Sequence, residues 1–170
     1  FHEYVENFLT NKLFPFPDHK IKEALGGSEN MLECKKAVSK LMVMFDDFYE
    51  KSFGKLIPVR AEVVVGDKDW GVTGMIDQLF YNEKSKKLEI WDWKTNKAIK
   101  EKNKWQQFKE PLSHLDVCEL QLSFYKLIVE RNTELELGDS YIVWFNENNE
   151  TYKIIKCYDF REEILKIMNR

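Results

Sequence analysis

Asp77, Asp92 and Lys94 are the residues of this 170-residue chain whose types and spacing could do chemistry together. Side chains alternate faces along a strand. In Leu88 to Lys94, read as a strand, Leu88, Ile90, Asp92 and Lys94 share one face, and Glu89, Trp91 and Trp93 share the other. A carboxylate and an ammonium therefore continue an apolar row. The same rule on Gly71 to Tyr81 groups Met75, Asp77, Leu79 and Tyr81, where Asp77 again interrupts apolar neighbours. Asn82 to Lys87 is a polar turn, and a hairpin folded about Lys84-Ser85 sets Asp77 opposite Asp92 and Met75 opposite Lys94. Directly opposed residues have Cβ atoms about 5 Å apart. Two carboxylates repel there unless one is protonated or a cation lies between them. A hard divalent ion, magnesium or manganese, suits such oxygens. The one-residue slip that relieves the repulsion turns Leu79 and Ile90 to the wrong face. The alternative is a buried salt bridge between Lys94 and one aspartate, with the other in water at the strand end.

The elements that must position these residues follow from periodicity. His2 to Leu9 has helical spacing at Val5, Phe8 and Leu9, and Phe14-Pro-Phe-Pro-Asp18 breaks it. From Ser28 or Asn30 to about Phe53 a long helix carries Leu32, Val38, Leu41, Met42, Phe45 and Phe48 as its stripe, and Gly54 ends it. The period then changes to strands at Val59 to Val65, Gly71 to Tyr81 and Leu88 to Lys94. A second long helix covers about Leu115 to Glu130, strands follow at Ser140 to Phe145 and Thr151 to Tyr158, and Arg161 to Met168 returns to helix. Helix, three strands, helix, two strands, helix is an α+β order, with a central mixed sheet and helices against it. The second helix is apolar on nearly every side, so it reads as buried, with Gln121 and Tyr125 four apart on one face. Gln121 would then need partners, a backbone group among them.

Composition bounds the rest. Hydrophobic residues are 44% and charged residues 32%, and no apolar run reaches the roughly 18 residues of a membrane span, so a disordered or membrane-spanning chain is excluded. One domain is expected, with no repeat or linker to divide it. There is no secretory signal peptide, and the chain opens on Phe1-His2-Glu3 as though a segment preceded it. Cys34, Cys118 and Cys157 are odd in number and widely spaced, which excludes a disulfide framework or a CxxC metal site and suits reduced thiols in a cytoplasmic compartment. A net charge of −3 argues against nucleic-acid binding by bulk charge. Local binding is another matter: five lysines and one acid, Glu101, lie between Thr95 and Lys109, either as a solvated loop or as a phosphate contact.

Gly74-Met-Ile-Asp77, Asp92-Trp-Lys94-Thr95 and Gln121-Leu-Ser-Phe-Tyr125, in that order, resemble the motifs of the PD-(D/E)XK nuclease superfamily in its RecB-like exonuclease branch. His2, Glu6 and Leu9 are similar to that branch's N-terminal histidine helix, and the Asp-Trp-Lys-Thr stretch to mitochondrial genome maintenance exonuclease and its phage-encoded relatives. The resemblance covers residue 2 to about residue 130. It implies a restriction-endonuclease-like core in the order α-β-β-β-α-β-β-α and a metal-dependent nuclease acting on DNA, an exonuclease on single-stranded or end-containing substrates. It implies Mg²⁺ or Mn²⁺ held by Asp77, Asp92, the Trp93 carbonyl and His2, with Lys94 assisting the attacking water. It places Gln121 and Tyr125 as braces of the site, and Thr95, Lys97, Lys100, Lys104 and Trp105 on the nucleic acid. Replication or recombination proteins are the expected partners, in a bacterial or phage-encoded setting, with a mitochondrial relative left open. The iron–sulfur cluster of some members is excluded, because it takes four cysteines. Other readings are a nucleic-acid-binding module that does not cut and a nuclease acting on RNA. His2 as a frayed terminal residue, Glu62 as an active-site acid or a solvated strand glutamate, His114 as a cap or a DNA contact, and His19 at the surface complete the candidates.

Overall fold

The computed structural model describes residues 1–10, 31–52, 54–96 and 112–168. In chain order these form α1 (His2–Leu9), α2 (Met31–Ser52), β1 (Leu56–Asp67), β2 (Val72–Asn82), β3 (Lys87–Lys94), α3 (His114–Asn132), β4 (Leu137–Trp144), β5 (Lys153–Lys156) and α4 (Arg161–Met168). The five strands make one sheet in the order β1-β2-β3-β4-β5. All neighbours are antiparallel except β3 and β4, which run parallel. Parallel neighbours cannot be joined by a tight turn, so the chain must cross over between them, and α3 lies in that crossover. The architecture is the expected α+β one: among the described residues, a five-stranded mixed sheet is flanked by four helices. Strand bounds differ from the pattern reading at both ends: β1 and β4 start earlier, and β5 is only four residues long.

Each face of the sheet has its own core. Leu41, Met44, Phe45 and Phe48 lie on one stripe of α2 at spacings of three and four. With Val5 of α1 they cover Phe80, Trp91, Trp93, Val143 and Phe145 of the sheet. On the opposite face Cys118, Leu122 and Ile128 of α3 pack on Ile76, Leu79, Ile90 and Ile142. Among the described residues, no helix is long and apolar enough to cross a membrane. The three cysteines are free thiols, with Cys118 and Cys157 buried, in line with the reduced reading.

Two turns set the register that the site depends on. Asn82 Oδ1 accepts the backbone N–H groups of Lys84 at 2.9 Å and Ser85 at 3.1 Å, the Asx geometry that lets one side chain replace a turn's own bonds. It fixes Gln78 opposite Trp91 and Asn82 opposite Lys87, the expected hairpin register. The β1–β2 turn is tied to the end of α3. Asp67 accepts from the Asp69 and Trp70 amides and, through its other oxygen, from Arg131 Nε at 2.9 Å and Asn132 Nδ2 at 3.0 Å. Trp70 stacks on Phe124, with the Arg131 guanidinium over its ring.

The end of α3 is also tied to α4. Lys126, 3% exposed, sets its ammonium 2.7 Å from Asp159 Oδ2, and Arg161 adds bonds to the same carboxylate. Burial alone would push Asp159 up, but the Arg161 and Lys126 hydrogen bonds outweigh it and hold the group at about 2. A carboxylate ordinarily titrates at about 3.9. A depressed folded value means stability that is present above the ordinary value and lost as pH falls toward the folded one. Urea midpoints should therefore decline between about pH 4 and pH 2, with the decline reduced in Asp159→Asn. The size stays modest, because the carboxylate is 39% exposed and screened by solvent. An unchanged slope in the variant would remove Asp159 as a source of acid sensitivity.

Candidate active site

Asp92 lies on β3, between β2 and β4, and this central position buries it to 6% exposure. It follows Ile90 on the α3 side of the sheet, while Trp91 and Trp93 enter the opposite core, as the alternation predicts. The Lys94 ammonium is 2.6 Å from Asp92 Oδ2. This charge-assisted contact is the polar neighbour that the structure gives the buried Oδ2. Burial pushes the Asp92 carboxyl up against the pull of Lys94, and the Asp77 charge adds to the rise. Burial would push Lys94 down, but its ion pair with Asp92 more than offsets this and keeps it cationic.

Asp77 does not stand directly across from Asp92. The β2–β3 pairing ends at Gln78 and Trp91, and the next free amide of β3, that of Trp93, donates to Asp77 Oδ2 at 2.9 Å. A carboxylate thus replaces the neighbouring strand, and the two strands part at this point. Met75 and Lys94 lie beyond the end of that ladder and are not paired in it either; on its other side Met75 pairs with Val64 of β1. The shared face expected for Met75, Asp77 and Leu79 is also corrected. Ile76 and Leu79, three apart, both enter the α3-side core, and Met75 is 45% exposed. The alternation slips by one residue at Asp77. Across the β1–β2 ladder the gap between Ala61 and Val63 falls on Glu62, whose φ of 51° is in the left-handed region. A non-glycine residue held there is costly, and such residues cluster at functional sites. This irregularity lies within the backbone and leaves no mark in the hydrophobic pattern.

Glu62 is half-buried, and its carboxyl is pushed up by burial first, then by the charges of Asp77 and Glu6, with His2 opposing. It therefore belongs to the electrostatic surroundings of Asp77 rather than to a plain solvated strand. His2 Nδ1 lies 3.6 Å from Asp77 Oδ2. The terminus is anchored, not frayed: the Phe1 ring packs 4.9 Å from that of Phe145, and Val5 is 1% exposed.

The α3 residues reach the site through Gly74. A side chain there would collide with the Tyr125 ring, so the glycine is what lets α3 approach β2. Tyr125 in turn accepts a hydrogen bond from Gln121 Nε2 at 2.8 Å. Gln121 is exposed, which corrects the expectation of a buried amide, and α3 is not apolar all round, since Glu119, Ser123 and Lys126 are buried in it. The helix begins with a capping box of Ser113 and Asp116, so the cap is Ser113 and not His114. Thr95 is half-buried just past β3. Lys97, Lys100, Lys104, Trp105 and His19 lie outside the described residues.

Among the described residues, no group of three or more His, Cys, Asp or Glu is gathered closely enough to hold a metal ion. Mg²⁺ rarely uses such a cage; it is held by one or two carboxylates plus water and substrate phosphate. Two hard carboxylates where the β2–β3 ladder ends, one of them buried beside the Lys94 ammonium, fit that mode of binding.

The model of the PD-(D/E)XK nuclease superfamily matches residues 6–167. The chain belongs to this superfamily. Among solved structures it is similar to a candidate exonuclease from Eubacterium rectale, with a TM-score of 0.57 and 19% identity over 97% of this chain. At that identity the likeness concerns the fold, and the chain spans 60% of the length of that protein. Among curated proteins there is no significant match. Asp77, Asp92 and Lys94, the residues expected to carry its two acids and lysine, lie within the matched residues.

Proposed function

We propose that this chain is a divalent-metal-dependent deoxyribonuclease of the RecB-like type that hydrolyses phosphodiester bonds, as an exonuclease on single-stranded or end-containing DNA. The observation that carries the reading is the pair Asp77 and Asp92 where the β2–β3 ladder ends, with the Lys94 ammonium 2.6 Å from the buried Asp92 carboxylate. A purely structural ion pair needs neither a second carboxylate beside it nor an interrupted ladder. Asp77 and Asp92 would hold Mg²⁺ or Mn²⁺, with the Trp93 carbonyl and His2 completing the protein's share. When bound, the ion supplies charge that polarises the phosphoryl oxygen and acidifies the attacking water. Lys94, kept as an ammonium by Asp92, orients that water and stabilises charge that develops on the phosphorus oxygens. The Trp93 amide fixes Asp77 in its rotamer, so one acid is positioned by backbone and the other by burial. The Gln121–Tyr125 pair, seated on Gly74, braces β2 from the α3 side. Thr95 and the lysines at 97, 100 and 104, with Trp105, would carry the DNA backbone and a base.

An assay on end-labelled single- and double-stranded DNA, and on RNA, tests this. Cutting should need Mg²⁺ or Mn²⁺, stop in EDTA, and fall by about 100-fold or more in Asp92→Asn, with products shortened from an end. Retained DNA binding with no cutting under either metal would replace the enzyme with a binding module.

A further inference from the structure

The backbone around Lys94 is fastened on both flanks of β3. From Asp92 onward β3 has no ladder partner in β2, and on that flank Asp77 takes the Trp93 amide at 2.9 Å. On the other flank β3 stays paired with β4 as far as Lys94 with Trp144, and the Phe145 amide donates to Lys94 O at 2.8 Å. The fastening continues past the last ladder position. Trp144 Nε1 donates to Asn96 O at 2.7 Å, and Asn146 Nδ2 reaches the same carbonyl at 3.4 Å. Both donors are themselves held. The Lys153 ammonium lies over the half-buried Trp144 ring, 5.4 Å from its centroid. Asn146 is 2% exposed, and its Oδ1 accepts the Asn148 amide at 2.9 Å. Ile142 belongs to the α3-side core and Val143 to the opposite one. Alternation then returns Trp144 to the α3 side, next to Lys94 and on the face that carries Asp92.

Resting on the nuclease reading above, we infer that Trp144, with Asn146 beside it, is a positioning residue for phosphodiester hydrolysis that acts through Lys94. Lys94 sits between two tied backbone groups, the Trp93 amide on one side and the Asn96 carbonyl on the other. Its stem is flexible, so the place of its ammonium depends on both ends: Asp92 holds the charged end, and the bonds to Lys94 O and Asn96 O hold the backbone from which the stem extends. An indole carries a single donor on a rigid ring. Held under Lys153, that ring fixes the Asn96 carbonyl in one position. Asp77 is set from the opposite flank and Asp92 by burial, so loosening this tie acts on the lysine before the acids. A reacting group displaced by about 1 Å can lose about 10²-fold in rate.

Trp144→Phe keeps an aromatic ring and removes the donor. With Mg²⁺ and enzyme in excess over end-labelled single-stranded DNA, single-turnover cutting should fall about tenfold. DNA affinity in EDTA should stay within about twofold of the wild type, and Tm within about 2 °C. In a Lys94→Ala background the same change should alter cutting by less than about twofold, because residues that act as a unit are not additive. Amide exchange at Phe145, whose N–H is bonded to Lys94 O, reads the strand end without DNA. Its protection should drop about tenfold in Trp144→Phe. Undiminished cutting or unchanged exchange overturns the positioning role. So does a tenfold loss that recurs in the Lys94→Ala background, which would mean that Trp144 does not act through the lysine. A Tm lowered by more than about 5 °C makes Trp144 a strut of the fold and overturns it as well. A wild type that cuts no DNA with either metal defeats the nuclease reading, and the reaction role with it, whatever the exchange shows.

Discussion

Lys94→Ala should lower DNA cleavage by about 10³-fold and leave single-stranded DNA affinity within about threefold of the wild type. The Lys94 side chain is only 22% exposed, and its ammonium meets the buried Asp92 carboxylate at 2.6 Å. A cation held that way costs no reorganisation when charge appears on the phosphate, and fixed charge in a water-poor site acts far more strongly than in solvent. Alanine removes the charge and leaves Asp92 buried among apolar residues, which pushes an already raised carboxyl further up and weakens its hold on a cation. Both effects act on the chemical step, whereas the residues proposed to hold DNA lie elsewhere in the sequence. Lys94→Arg keeps the charge but not the compact ammonium, and it should recover only part of the rate. Single-turnover rates with enzyme in excess, read beside anisotropy, separate cutting from binding. Residual cutting above one-tenth of wild type would show that the lysine has no part in the reaction.

The sequence carries most of the fold because most of it depends on local patterns. The α2 stripe at Leu41, Phe45 and Phe48 has helical spacing, and the β2–β3 turn announces itself through Asn82 and its polar neighbours, so helix, turn and register are all legible. Asp92 and Lys94 were visible for a related reason, as charges in a row that strand alternation would otherwise make apolar. What stayed hidden is non-local or backbone in nature. The slip at Asp77 and the left-handed Glu62 arise where two strands compensate one another's irregularity, and no residue-type pattern marks either. The Trp93 amide taken by Asp77 is invisible because every residue but proline has such a group. Gly74 was part of a motif without a reason; the reason is the Tyr125 ring, supplied from a helix roughly fifty residues later. Gln121 shows the opposite failure: an apolar-looking helix suggested burial, yet α3 buries Lys126 and Glu119 instead, each matched by partners from the β5–α4 connection.

Phe48→Ala should cost about 4 kcal/mol of stability and lower Tm by about 10 °C, one of the largest single-site effects in the chain. Phe48 is fully buried, and its ring centroid lies 5.6 Å from Trp91, 5.7 Å from Trp93 and 5.6 Å from Tyr152. Edge-on and tilted arrangements of this kind add to the area term, and alanine leaves a cavity that rigid rings cannot close. Phe48→Leu should restore more than half of the loss by refilling volume. The same ring supports the site. Trp93 rests on Phe48 and Phe45 with its side chain, and its backbone amide holds Asp77. Loosening the floor therefore moves the β3 backbone from which one acid takes its position. Cleavage at 25 °C, where the variant is still folded, should fall by about tenfold, since small misplacements of reacting groups are expensive. Urea unfolding and single-turnover cutting read the two effects separately. A variant destabilised as expected but fully active would mean that Asp77 is held independently of the aromatic core, and the Trp93 amide would lose its positioning role.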